Sequence, residues 1–258
     1  MRAVTFDFGN TLVPVGRADL RRVVVLTAAA VAATSGPFDR EAFLAAWAEE
    51  RDRQFAEELP AFREVDIGQR FQRVFARLRG MAVPGPAGRW DDEAAASRSD
   101  PAEVAAAIEA YGRSFVAALP APPEVGPLLA SLAGRYRLGV VSNWPLAATI
   151  DRYLEAAGWD RYLSAVIVSE RVGAIKPQAT IFRAAEVALG GLAPSSILHV
   201  GDDWAGDVVG AKRAGWRAAY LRARPEDSPL PGSERDDDVE PDLEIERLTD
   251  LGPILAGR

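Results

Sequence analysis

The chain has 258 residues, 30 basic and 37 acidic, with a single histidine, no cysteine and a formal charge of −7. That length suits one large domain or a core with an inserted module, and the acidic balance argues against a sequence-independent nucleic-acid binder. The missing cysteines exclude disulfides, thiolate nucleophiles and cysteine-held metals, and a lone His199 makes a histidine metal site or a Ser–His pair hard to build.

Met1 and Arg2 run directly into an apolar segment, Ala3 to Phe6, which ends at Asp7 and reads as a buried parallel strand with no export signal before it. From Asp19 to Leu119 the signals are helical. Asp39 suits an N-cap for a helix running toward Glu58, with Phe43, Leu44, Trp47 and Phe55 near helical spacing. Ile67 to Leu78 continues the pattern, and Asp100-Pro101 opens a helix through Val104, Ile108, Tyr111 and Phe115. Gly80 to Ser99 reads as a mobile loop. The longest charge-free stretch, Val23 to Phe38, is shorter than the ~20 residues that cross a bilayer, so a soluble, cytoplasmic protein without a membrane partner is expected.

After Pro120-Ala-Pro-Pro123 the texture changes. Short β-rich runs alternate with helical segments: Leu138–Val141, Ala165–Val168, Ile197–Val200, Ala218–Leu221 and Leu243–Ile245. This predicts an α/β fold with a Rossmann-like parallel sheet, built from residues 1–16 and 121–258 and interrupted by a helical insert, residues 17–120. Residues 223–241, with the acidic run Asp236-Asp237-Asp238, read as a solvated loop.

In such sheets ligands sit beyond the carboxyl ends of the strands. Four predicted strands are followed there by polar groups. These are Asp7-Phe8-Gly9-Asn10-Thr11, Ser142-Asn143, Gly173-Ala-Ile-Lys176-Pro177, and Gly201-Asp202-Asp203-Trp204-Ala205-Gly206-Asp207. Each alone reads as a turn or a cap; together they bring a carboxylate, a hydroxyl, a lysine and an acidic group to one sheet edge. That set suits phosphoryl transfer. A carboxylate can attack phosphorus, magnesium prefers oxygen ligands, and a hydroxyl with a cation can hold the transferring group's oxygens.

In order and spacing the four motifs resemble the haloacid dehalogenase (HAD) superfamily, with a helical cap inserted after the first motif. The resemblance runs from Val4 through Gly215. It implies Asp7 as nucleophile, with Asn10, Thr11, Ser142 and Asn143 binding or orienting phosphate. Lys176 becomes the charge clamp; Asp7, the Gly9 carbonyl and Asp202 hold Mg2+, with Asp203 or Asp207 assisting the metal or the lysine. The implied function is a magnesium-dependent phosphatase of a small phosphorylated metabolite, its cap closing over the strand ends.

One position departs from the family pattern. Phosphatases of the superfamily usually carry a second Asp two residues after the nucleophile, as acid and base; here it is Gly9. A substrate with a good leaving group, or an acid from the insert such as Asp19 or Asp66, would meet the loss, which is worth roughly 10²–10⁴-fold. The alternatives are a 2-haloacid dehalogenase, whose fourth motif typically lacks Gly-Asp-Asp, and a non-catalytic binding module. A phosphonate-cleaving branch needs a cap lysine, and no lysine lies between Asp7 and Ser142. Only Lys176 and Lys212 are lysines among the 30 basic residues, and one of them stands where the third motif requires it. His199, inside a predicted strand, reads as a packed or hydrogen-bonded structural residue, Trp204 as packing, and Trp144 either as lining the entrance or as buried against the cap. On sequence alone, Gly9→Asp is expected to raise activity on poor leaving groups more than on aryl phosphates.

Overall fold

The computed structural model describes residues 1–85, 88–235 and 238–257. The chain folds into two compact units, Met1–Arg17 with Leu119–Arg258, and Ala18–Ala118.

The first unit is a Rossmann-like α/β sheet of six parallel strands. They are β1 (Ala3–Phe6), β2 (Arg137–Ser142), β3 (Leu163–Val168), β4 (Ile197–Gly201), β5 (Arg217–Leu221) and β6 (Leu243–Ile245). Their order is β3-β2-β1-β4-β5-β6, so the direction of winding reverses at β1. At such a switch point the loops on either side lead away in opposite directions and leave a crevice for a ligand. Every residue of β1 is buried, as a strand covered on both faces requires. On one face Ile181, Phe182, Trp204, Val208 and Trp216 pack into a continuous core. Register then places the chemistry. Phe6 pairs with Val140 and with Val200, so Asp7 leaves β1 level with the ends of β2 and β4.

Among the described residues, five α-helices make the second unit: α1 (Arg17–Ser35), α2 (Arg40–Glu58), α3 (Ile67–Leu78), α4 (Asp92–Ala96) and α5 (Pro101–Ala118). Asp39 caps α2 by accepting from Ala42 N at 3.1 Å, and Asp66 caps α3 by accepting from Gln69 N at 3.0 Å. The apolar spacing seen in the sequence buries Phe43, Trp47, Phe71, Phe75, Tyr111 and Phe115. Arg70 is buried among them, its guanidinium 5.1 Å from the Trp47 ring centre and its Nε donating to Gln54 Oε1 at 2.8 Å. Stacking and this hydrogen bond offset only part of the cost of burial, which lowers the Arg70 pKa to about 10.

The segment Gly80 to Ser99 differs from the loop expected. It contains α4, capped by Asp91, and buries Trp90 against Ala76 and Ala95. Trp90 Nε1 donates to the buried Glu50 carboxylate at 2.8 Å, and Arg73 Nε to Asp92 at 2.8 Å. The ordering contacts come from α2 and α3, distant in sequence, so local composition does not reveal them. Among the described residues no helix is long and apolar enough to cross a membrane. Asp236 and Asp237 of the acidic run lie outside the described residues.

Candidate active site

The site is built where apolar strands give way to polar turns. After β1 the chain folds back tightly: Leu12 N and Val13 N both donate to Phe8 O at 3.0 Å, and Asn10 turns left-handed with φ 60°. Asparagine tolerates that conformation better than most side chains. Here its own amide also ties the turn, with Oδ1 accepting from Val15 N at 3.1 Å. After β4 the chain enters a π-helical turn, Trp204–Val209, which carries Asp207 back over the strand end. Gly201 permits this return, because a Cβ there would stand 2.1 Å from the Asp207 carboxylate.

Lys176 is the hub. It is buried, and its Nζ donates to Asp7 Oδ1 at 2.6 Å, to Val141 O at 2.9 Å and to Asp207 Oδ1 at 2.5 Å. All three ammonium protons are therefore used. Asn143 sets the lysine's backbone, accepting from Lys176 N at 2.7 Å and donating to Lys176 O at 3.1 Å. The Lys176–Pro177 peptide bond is cis. Burial alone would lower the lysine's pKa, but the Asp207 and Asp7 carboxylates outweigh it and hold the ammonium protonated well above its ordinary value.

Asp207 is satisfied on both oxygens. Oδ1 takes Lys176 and His199 Nε2 (3.0 Å), and Oδ2 accepts from Asp203 N at 2.9 Å. Burial pushes against ionisation here, but Lys176 and His199 win and hold the carboxyl below its usual range. His199, structural on the sequence reading, thus joins the charged network as a positioning residue. A carboxylate can only accept, so Nε2 carries the proton. Nδ1 faces Thr5 Oγ1 at 2.9 Å.

Asp7, Asp202 and Asp207 each offer a carboxylate oxygen, and these atoms all lie within 4.8 Å of one another. Burial raises the Asp7 pKa; Lys176 opposes the rise and Asp207 adds to it. Burial, then the Asp7 and Asp207 charges, push Asp202 up to about 8, against Arg224 and Lys176. Thr11 Oγ1 donates to Asp202 Oδ1 at 3.2 Å and Arg224 Nη1 to Asp202 Oδ2 at 3.1 Å. Asp7 and Asp202, hard oxygen donors each pushed up by burial and by neighbouring carboxylate charge, are a donor set that fits a divalent cation, with Asp207 beside them already committed to Lys176, His199 and the Asp203 amide. Asp203, by contrast, spends its carboxylate on Gly206 N at 2.7 Å and on Ser233 N and Oγ at 2.7 and 2.8 Å. Ser142 Oγ is buried with no hydrogen-bond partner among the described residues. An orphaned hydroxyl of this kind is costly unless something else completes it.

A carboxyl near 3.8 in the unfolded chain and near 8 in the folded one binds its proton more tightly when folded. The stability tied to Asp202 is then lost as pH rises from about 4 to about 8. Asp202→Asn is expected to raise the metal-free melting midpoint at pH 8 by several degrees, about 2–4 °C per kcal/mol for a chain of this size, and to change it little at pH 4. Calorimetry without metal at the two pH values checks this; a lower midpoint at pH 8 would contradict it.

Residues 223–235, part of the segment 223–241 expected as a solvated loop, instead reach the site. Asn10 Nδ2 donates to Ser228 Oγ at 3.0 Å, and a Cβ on Gly9 would lie 2.8 Å from Leu230 Cδ1 and 3.4 Å from Trp144 Cζ3. Sequence reasoning missed Arg224, Ser228 and Leu230, whose segment has no periodicity to mark it.

Residues 1–215 match the family model of a haloacid dehalogenase-like hydrolase. A glyceraldehyde 3-phosphate phosphatase of Methanopyrus kandleri is 35% identical over 157 residues, which span 60% of this chain and 65% of that curated relative, just under two thirds of its length. Among solved structures, a 2-haloacid dehalogenase from Pseudomonas syringae pv. Tomato is 25% identical with a TM-score of 0.61, covering 100% of this chain and 99% of that one. The HAD hydrolase YfnB of Bacillus subtilis, bound to magnesium, is 17% identical with a TM-score of 0.61 over 98% of each chain, a likeness of fold alone.

Proposed function

The chain belongs to the haloacid dehalogenase-like hydrolase family, and we propose that within it the protein is a Mg2+-dependent phosphatase of a small phosphorylated metabolite. The observation that carries this reading is the trio Asp7, Asp202 and Asp207. Displacing halide from carbon needs one carboxylate nucleophile, and two more beside it would only raise its pKa and repel the incoming acid's own charge. Phosphoryl transfer with a divalent cation repays that arrangement. Asp7, Asp202 and the Gly9 carbonyl are the groups that would hold the ion. When bound it would screen the carboxylates from the anionic phosphate and polarise the phosphoryl oxygens.

The protein's own groups then divide the work. Asp7 forms a bond to phosphorus as the bond to the leaving-group oxygen breaks, giving an aspartyl-phosphate. Water next attacks that phosphorus, releasing inorganic phosphate and restoring the carboxylate. Lys176 balances the charge on Asp7 throughout, and its second anchor on Asp207, held in turn by His199, keeps the ammonium from following the substrate. The Ser142 hydroxyl, without a partner among the described residues, supplies a donor for a non-bridging phosphoryl oxygen. Thr11 steadies Asp202. Asn10 and Asn143 act through the backbone and loops they tie, as positioning residues. Asp203 holds the turn that presents Asp207.

The test is a phosphate-release panel run with Mg2+ and with chelator, beside a 2-haloacid assayed for halide. Mg2+-dependent phosphate release from at least one small phosphate is expected, with no halide. Halide release without metal would overturn the phosphatase reading in favour of a dehalogenase. Absence of both activities, with no Mg2+-dependent shift in melting, would make the fold a non-catalytic module.

A further inference from the structure

Gly9 lies two residues beyond the proposed nucleophile, and what stands against it is hydrocarbon: Leu230 Cδ1 and the Trp144 ring edge. Two residues of chain span at most about 7 Å, so Gly9 and the apolar wall against it stand close to Asp7 in the chain's path through the site. The wall is held by the site itself. Arg224 donates to Asp202 at 3.1 Å through Nη1 and, through Nη2, to the carbonyls of Leu230 and Pro231. Asn10 donates to Ser228 at 3.0 Å, Ala205 N to Ser233 Oγ at 2.6 Å, and Ser233 N to Asp203 at 2.7 Å. Residues on both sides of Leu230 are thus tied to the first and fourth motifs, and Leu230 is delivered to Gly9 by contacts with the very groups that carry the chemistry.

We propose that Leu230 is a specificity-determining residue. It fills the space beside Asp7 that a side chain at position 9 would occupy, and so confines turnover to phosphate esters and anhydrides whose leaving group departs as a stable anion. The proposal rests on the phosphatase reading. Its physical core is proton supply. When the phosphorus–oxygen bond breaks, the electron pair goes to the leaving oxygen. An aryloxide or a carboxylate holds that pair unaided, but an alkoxide needs a proton delivered as the bond parts. A wall of leucine and indole carbon has none to give. Gly9→Asp alone does not cure this, because the new Cβ meets Leu230 first. The aspartate needs Leu230 to give way before it can face the leaving group.

The experiment is a double-substitution cycle. Wild type, Gly9→Asp, Leu230→Ala and the pair are assayed with Mg2+ on p-nitrophenyl phosphate and on glycerol phosphate, and melted without substrate. Wild type is expected to hydrolyse the aryl ester and to leave glycerol phosphate nearly untouched. The pair should gain on glycerol phosphate by about 10²-fold over wild type, the low end of what general acid catalysis supplies, and should gain far less on the aryl ester. Gly9→Asp alone should gain far less and should lower the melting midpoint more in the presence of Leu230 than in the Leu230→Ala background. Equal gains for Gly9→Asp and for the pair, or for Leu230→Ala and the pair, would overturn the proposal, as would additive melting shifts. Failure of the phosphatase reading shows itself separately. Wild type would then release phosphate from neither ester, and the specificity role would fall with it even if the melting cycle were non-additive.

Discussion

Asp7→Asn is expected to remove Mg2+-dependent phosphate release by on the order of 10⁴-fold or more while leaving the fold intact. The nucleophile makes the bond that splits one difficult displacement into two, so an amide of the same shape keeps substrate contacts but has no route through the aspartyl-phosphate. Stability should move the other way. Burial and the neighbouring Asp207 charge raise the Asp7 pKa, which means that the ionised carboxylate is less comfortable in the folded protein than in water. A neutral isostere relieves that repulsion, and Lys176 retains Val141 O and Asp207 as partners. The metal-free melting midpoint should hold or rise, and the increment produced by Mg2+ should shrink because one carboxylate ligand has gone. Turnover by Asp7→Asn within tenfold of wild type would show that another group attacks phosphorus.

Lys176→Met is expected to be the most damaging single change to the first unit. It leaves Asp7 and Asp207 buried beside one another without their shared cation, a loss of about 3–5 kcal/mol for breaking a buried pair by removing one partner. Denaturant unfolding at pH 7 measures it directly. The sign with pH follows from Asp207. Its carboxyl sits below its ordinary value of 3.8 because Lys176 and His199 outweigh burial, so the stability it contributes is full above about pH 4 and fades as acid titrates the folded carboxyl. The gap between wild type and Lys176→Met should therefore narrow below about pH 4. Lys176→Arg should rescue little of either stability or turnover. Three acceptors converge on one compact ammonium, whereas a guanidinium presents a planar fork of greater reach. Full rescue by arginine would mean that only net charge matters at this point.

Much of this architecture is legible in the order of residues. Buried parallel strands are short apolar runs, and the first polar residue after each one is placed at the sheet edge by the strand itself. Asp7, Ser142 and Asp202 can thus be set on one edge from spacing alone, and the register, with Phe6 paired to both Val140 and Val200, brings the ends of β1, β2 and β4 level. The scarcity of lysine singles out Lys176 in the same way. The helices of the second unit follow from apolar periodicity and from Asp39, whose cap lies three residues from its donor. All of these are local signals, and chemistry within a few residues decides them.

The rest requires the folded chain. His199 reads as a packed or hydrogen-bonded structural residue in the sequence, which cannot name its partners, because Thr5 and Asp207 come from another strand and from a π-helical turn that no periodicity announces. Trp90 and α4 escape a local reading because Glu50 and Arg73 order them from other helices. Asp203 and Asp207 look interchangeable in sequence, and only the turn between them gives one to Lys176 and the other to Ser233. Above all, the segment carrying Arg224, Ser228 and Leu230 has a composition that predicts solvent on every side. The sequence by itself determined which groups reach the sheet edge, because a strand of known length ends where its apolar run ends. Tertiary structure alone decided what lies against Gly9, because an irregular segment has no repeating geometry and acquires its position from the distant side chains that hold it.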